Sequence, residues 1–161
     1  MVIFDFASDV NMDNWYIMDD VVMGGRSSGV ITISDEGHGL FHGDVSLENN
    51  GGFSSVRYRP EAIDVSDYKK VKLYIKGDKK TYQFRIKESK YDRHSYIYTF
   101  KTSGEWETIE VPLVEMYPSF RGRKLDIDNY TGNKLEELAI LISNKKAESF
   151  RLEIDEITLD N

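Results

Sequence analysis

The sequence predicts an all-β fold, a two-sheet antiparallel jelly-roll sandwich. Apolar and polar residues alternate with period two along most of the 161-residue chain, as in half-buried strands. The alternating segments are short and evenly spaced, and clusters of Gly, Asn, Asp and Ser separate them. Helical periodicity is absent: only Leu113–Tyr117 and Lys134–Glu137 read as short helical turns.

In chain order the alternation places strands near Val2–Phe6 and Trp15–Met18, then, past a glycine-rich loop, at Gly29–Ser34. Asp35-Glu36-Gly37 turns the chain into Gly39–Glu48. Asn49-Asn50-Gly51-Gly52 turns it again into Gly52–Arg59; Asn-Gly pairs tolerate positive φ and suit tight hairpins. Val71–Lys76, Thr81–Glu88, Ser95–Lys101 and Glu105–Pro112 follow, with turns at Lys76-Gly77-Asp78 and Ser103-Gly104. Leu138–Ser143 and Ser149–Leu159 close the chain around Asn144-Lys145-Lys146. The whole of residues 1–161 reads as a single β-sandwich domain, a length that supports a sizeable core.

The alternation also assigns faces. Tyr82, Phe84 and Ile86 share one side of their strand, and Gln83, Arg85 and Lys87 the other. Tyr96, Tyr98 and Phe100 are in phase, opposite Ser95, Ile97 and Thr99. Phe53, Ser55, Arg57 and Arg59 are in phase after the Asn-Asn-Gly-Gly turn. Each sheet of a sandwich turns one apolar face inward, leaving the outer face free for polar and cationic groups.

Composition removes several functions. The net charge is −7, from 28 acidic against 21 basic residues, which opposes binding to nucleic acid or an anionic membrane. There is no cysteine, so disulfides, thiol catalysis and thiolate metal sites are excluded. No apolar run approaches the roughly 18 residues of a membrane span. The start, MVIFDFASD, lacks a basic n-region and Arg-rich transit character, which leads us to expect a cytoplasmic protein or a processed form.

Gly25-Arg26-Ser27-Ser28-Gly29 spells the G-x-S-x-G pattern of serine hydrolases. A nucleophile elbow needs a helix after the serine, and here the β-branched run Gly29–Ser34 reads as a strand. None of His38, His42 and His94 lies in a recognisable catalytic context. Ser27 is therefore expected in a loop whose Gly24 and Gly25 supply unusual backbone angles. The same loop lacks both phosphate-loop patterns. His38 and His42 would lie about 13 Å apart in a strand, too far to share an ion without a chain reversal. No cofactor is expected beyond structural calcium, for which Asp5, Glu153 and Asp155 are the candidate ligands if the terminal strands pair. Among 28 acids the sequence selects no glycosidase pair.

Several phrases together carry a resemblance: WYIMDDVVMGGRSSG (15–29), FHGDVSLENNGGFSSVR (41–57), Gly77-Asp78, Trp106 leading to Val111-Pro112-Leu113, Phe120-Arg121-Gly122 and FRLEIDEI (150–157). The chain resembles the complex I intermediate-associated protein 30 family along essentially its whole length. The resemblance implies a galactose-binding-domain-like β-sandwich akin to some carbohydrate-binding modules. It implies no catalysis, because the mitochondrial members are assembly factors, or chaperone-like helpers, for respiratory complex I. Met23, Gly24, Gly25, Ser27 and Gly29, with Gly51 and Gly52 in the next turn, then shape loops. The function expected is a non-enzymatic binding or assembly domain that contacts a protein partner; a carbohydrate-binding module using one sheet face is the alternative. The binding residues expected are Trp15, Asp20, Arg57, Gln83, Arg85 and Arg121, placed where the loop Asp19–Ser27 meets the strand Phe53–Arg57. Arg57 is expected to pair with Asp20.

Overall fold

A computed structural model describes residues 1–8 and 11–161, without the side chains of Val22, Met23 and Asn50. Its strands are β1 (Val2–Asp5), β2 (Trp15–Asp19), β3 (Ser28–Ile33), β4 (Gly39–Val45), β5 (Ser54–Tyr58), β6 (Ile63–Asp64), β7 (Lys70–Lys76) and β8 (Thr81–Lys87), then β9 (Ser95–Lys101), β10 (Trp106–Pro112), β11 (Tyr117–Phe120), β12 (Arg123–Lys124), β13 (Lys134–Leu135), β14 (Glu137–Ile142) and β15 (Glu148–Asp160). They form two large antiparallel sheets. One has the order β10-β7-β15-β4-β3, with β1 also on β15; the other runs β12-β11-β9-β8-β14-β5-β2. β13 and β6 pair alone.

The 13-residue β15 organises the first sheet. β4 pairs with it over Glu148–Ile154, and β1 takes over the same edge at Glu156–Thr158. Its register against β7 shifts between Ile154 and Glu156, so Asp155 sits at a bulge.

The alternating residues fill one continuous core between the sheets. Tyr82, Phe84 and Ile86 are fully buried, facing Leu73, Ile75, Leu152 and Ile154 of the other sheet. Ile140 is fully buried at the centre of β14, flanked by Val56 and Phe84. Ile140→Val removes one methyl from a site with no room to refill. It should lower stability by about 1 kcal/mol, read as a lower urea midpoint at unchanged slope.

Two expectations are corrected. Lys134–Glu137 is extended rather than helical: Lys134 and Leu135 pair with Asp64 and Ile63, the Tyr130 hydroxyl donates to the Lys134 carbonyl, and Glu137 opens β14. Tyr117 belongs to a strand, and only Leu113–Glu115 forms a 3-10 turn. β11 was hidden by Pro118, which weakens a strand pattern; it pairs with β9 and carries only the two-residue β12 outside it.

Candidate functional site

The loop after β2 is a clamp around one carboxylate. Asp20 opens a 3-10 turn, Asp20–Met23, that ends at Gly24 with φ 89°. That left-handed angle suits glycine and reverses the chain toward Ser27. Asp20 is 1% exposed. Its Oδ1 accepts the Ser27 N–H at 2.9 Å. Its Oδ2 accepts the Ser27 hydroxyl at 2.5 Å and the N–H groups of Gly52 at 2.6 Å and Phe53 at 3.2 Å. A Cβ on Gly25 would lie 2.4 Å from the Asp20 carboxyl carbon, and one on Gly51 2.5 Å from its Oδ2. Burial alone would raise the Asp20 pKa, but the hydrogen bonds from Ser27, Gly52 and Phe53 outweigh it and hold the carboxyl below its usual range.

The neighbouring Asp19 ties the sheets together, accepting the Gly29 N–H at 2.8 Å and the Ser54 hydroxyl at 2.5 Å. Gly24, Gly25, Ser27, Gly29, Gly51 and Gly52 thus all belong to this architecture. The Met23 backbone closes the turn; its side chain lies outside the description. Ser27 is 1% exposed, and its hydroxyl also accepts the Ser46 N–H at 2.9 Å, so it is a structural bridge.

Asp20 is therefore not a surface binding residue, and it does not pair with Arg57. Asp19 stands opposite Ser54, whereas Arg57 stands opposite Tyr16, three residues along the strand. That is about 10 Å from the loop. Trp15 is also corrected. Its ring is 6% exposed and packs at 5.2 Å on both Phe4 and Phe6 and at 4.8 Å on Tyr58. Trp15 is on the inward phase of β2, so it seals the core.

Arg57, Gln83, Arg85 and Arg121 do come together, on the outer face of the seven-stranded sheet. Register aligns Tyr16, Arg57, Ala139, Arg85, Ile97 and Tyr117 in one row across β2, β5, β14, β8, β9 and β11. The next row holds Met18, Ser55, Leu141, Gln83 and Thr99. Two adjoining hollows, about 450 and 180 Å³, share Arg57, Arg85 and Arg121 in their walls. Among the described lining residues, Lys87, Arg93 and Lys145 add three further cations, against the single carboxylate of Glu137.

Glu137 is 3% exposed and already engaged. Its Oε1 accepts the Arg59 Nε–H and the Tyr16 hydroxyl, each at 2.8 Å, and Arg57 lies 3.7 Å from Oε2. Burial, then this carboxylate, pushes the Tyr16 phenol up to about 12. Arg85 forms no ion pair among the described residues. Its guanidinium donates twice to the Gln83 side-chain oxygen, at 3.0 and 2.7 Å. Burial, then the nearby Arg57 charge, lowers its pKa to about 10, so it stays cationic at neutral pH. Burial likewise lowers Lys87.

The sequence placed Lys87 on the face of Gln83 and Arg85 without naming it a binding residue, and it missed Glu137, Arg93 and Lys145. Glu137 opens β14, where the run Leu138–Ile142 is apolar on both faces, so alternation carried no signal for it. Arg93 and Lys145 arrive from loops, which carry no periodic signal.

The terminal strands pair, with Asp5 opposite Glu156, and each candidate calcium ligand has a partner within the protein. Asp5 accepts the Ala7 N–H at 2.9 Å, Asp155 holds the His38 Nδ1 at 3.2 Å, and Glu153 lies 3.7 Å from Arg151. Among the described residues, no three His, Asp or Glu side chains converge to hold a metal ion. His38 precedes β4 and His42 lies within it, with no reversal between them. Trp106, on the outer face of the other sheet, packs at a tilt against His38, with ring centroids 4.6 Å apart, and against Tyr74, at 5.2 Å. No helix among the described residues is long and apolar enough to cross a membrane.

With this geometry in hand, comparisons with known proteins place the chain among relatives. The family profile described as complex I intermediate-associated protein 30 matches residues 4–154. Mitochondrial complex I intermediate-associated protein 30 of Drosophila melanogaster is 24% identical over 99% of this chain and 62% of its own length. The Mus musculus protein of the same name is 23% identical over 96% of this chain and 54% of its own. The chain thus spans little more than half the length of these relatives. Among solved structures, the family 11 carbohydrate-binding module of a Clostridium thermocellum cellulosomal cellulase superposes with a TM-score of 0.70. It is 19% identical, covering 100% of this chain and 94% of that one, a likeness of fold.

Proposed function

From the premise that this chain belongs to the complex I intermediate-associated protein 30 family, we propose that it is a non-enzymatic binding domain with an assembly role. It contacts a protein partner through the outer face of the seven-stranded sheet. The observation that carries this reading is charge. A chain of net charge −7 gathers six cations around one cleft that holds one already neutralised carboxylate. Such a surface selects partners by electrostatic complementarity and speeds their encounter.

The likeness to a carbohydrate-binding module favours a second reading, a sugar held on the same face. Sugar recognition relies on open aromatic rings beside polar groups. Here three of the rings around the cleft have a cation over them: Arg59 at 5.3 Å from Tyr16, Arg121 at 5.3 Å from Phe120 and Lys124 at 5.8 Å from Tyr117; a fourth ring, Phe53, lines the larger hollow. This arrangement supports the protein partner over a neutral sugar.

A photo-crosslinking amino acid at Gln83, in the cleft, and at Thr108, on the other sheet, tests the proposal in the native cell. A discrete protein adduct is expected from position 83 alone, and it should vanish in an Arg57→Ala background. Arg57 is 19% exposed and lies 3.7 Å from Glu137, which keeps Arg59 and Tyr16, so its removal should cost about 1–3 kcal/mol; the Tm of Arg57→Ala checks that the fold survives. Adducts from neither position, with a neutral β-glucan oligosaccharide binding by calorimetry, would replace this reading with the carbohydrate one.

A further inference from the structure

We propose that Arg57 and Arg85 grip one carboxylate of an acidic partner segment above Ala139, and that Arg121 closes over it from the neighbouring hairpin turn. This rests on the reading of the cleft as a protein-contact face and names the chemistry of what enters it.

The first ground is the register. Arg57 and Arg85 flank Ala139 in one cross-strand row, so their backbones are about 10 Å apart, two strand spacings. The alanine methyl leaves the floor between the two long side chains open. Each guanidinium presents a planar fork that matches a carboxylate.

The second ground is unmatched charge. Arg85 has only the neutral Gln83 amide as a hydrogen-bond partner among the described residues. Glu137, the one acid among the described lining residues, is taken by Arg59 and Tyr16 and lies 3.7 Å from Arg57, so of the two arginines Arg85 is the one left without an ion pair among the described residues. Two like charges in a half-buried site repel, and an anion between them relieves both.

The third ground is the backbone. Arg121 and Gly122 form the two-residue turn between β11 and β12, with φ 51° and 77°. Asn or Gly suits the first of these positions; an arginine there is held in the left-handed region against its own preference. Lys145, which lines the same hollow, is also left-handed, with φ 59°. Strained backbone that presents charge to a cleft is characteristic of ligand clamps. The net charge of −7 repels long polyanions elsewhere on the surface, which favours a short acidic peptide over nucleic acid.

The probe is a fluorescein-labelled eight-residue peptide of alternating aspartate and glutamate, followed by anisotropy at low salt. Wild type should bind it saturably, and 0.5 M salt should weaken that binding. Arg85→Gln should weaken binding about tenfold or more, the loss of a charge-assisted pair. Arg121→Ser, on an exposed turn that does not support the core, should weaken it several-fold at unchanged Tm. Arg26→Gln, remote and exposed, should change nothing. Equal binding by wild type and Arg85→Gln overturns the proposal, and so does absence of binding. Preference for an oligogalacturonate over the peptide also overturns it, making the ligand a sugar acid. If the peptide fails while the position-83 adduct persists, the carboxylate clamp falls and the protein-contact reading stands; loss of both removes both.

Discussion

Asp20→Ala is expected to destabilise the protein by about 3–5 kcal/mol. At this chain length that lowers Tm by about 6–20 °C. The carboxylate is 1% exposed and accepts four hydrogen bonds, from the Ser27 N–H and hydroxyl and the N–H groups of Gly52 and Phe53. Truncation leaves those donors facing an apolar void. Neither loop can collapse to refill it, because Gly25 and Gly51 already approach as closely as a residue without Cβ can. Asp20→Asn should rescue little, since its amide nitrogen would meet N–H donors. Amide exchange at Ser27, Gly52 and Phe53 should accelerate before the rest of the chain does, distinguishing loop release from global loss.

The pH dependence follows from the same contacts. The folded Asp20 carboxyl has a lowered pKa, so it binds protons less readily than in the unfolded chain. Its contribution is fully present above the unfolded value, about 3.9, and is lost as pH falls toward the folded one. The stability gap between wild type and Asp20→Ala should be constant near neutrality and shrink below about pH 4, measured by urea unfolding at each pH.

Sheet faces were legible in the sequence wherever one side of a strand is polar. Gln83, Arg85 and Lys87 against Tyr82, Phe84 and Ile86 leave a single choice of phase, and β8 obeys it. Trp15-Tyr16-Ile17-Met18 has apolar bulk on both sides, so the phase of β2 was not readable, and Trp15, expected as a binding residue, packs into the core. The Arg57–Asp20 pairing failed for a related reason. A turn brings β2 and β5 together, but only their register, Tyr16 opposite Arg57, decides which residues meet. Glu137, the true partner, lies 80 positions from Arg57 in sequence and meets it because β14 inserts between β5 and β8. That insertion is a property of topology, which local patterning does not encode.

Glu137→Gln should move stability and binding in opposite directions. The carboxylate is 3% exposed and carries Arg59, Tyr16 and Arg57. Removing its charge leaves the cations of the cleft facing one another. Because the Arg59 and Arg57 side chains are 42% and 19% exposed, water takes up part of the loss, and about 2–3 kcal/mol is expected. Tyr16 reports the change directly. Its phenol, now near 12, should titrate lower in the variant, stopping short of the ordinary value of about 10 because burial, the larger cause, remains. Tyrosine-selective carbon-13 NMR against pH reads this. The same substitution frees Arg57 from the one acid that competes for it, so the acidic peptide should bind the folded variant more tightly than wild type, with a steeper salt dependence. A less stable domain that binds better would show that Glu137 trades affinity for the integrity of the sheet; weaker binding by a fully folded variant would mean that Glu137 orients Arg57 for the ligand.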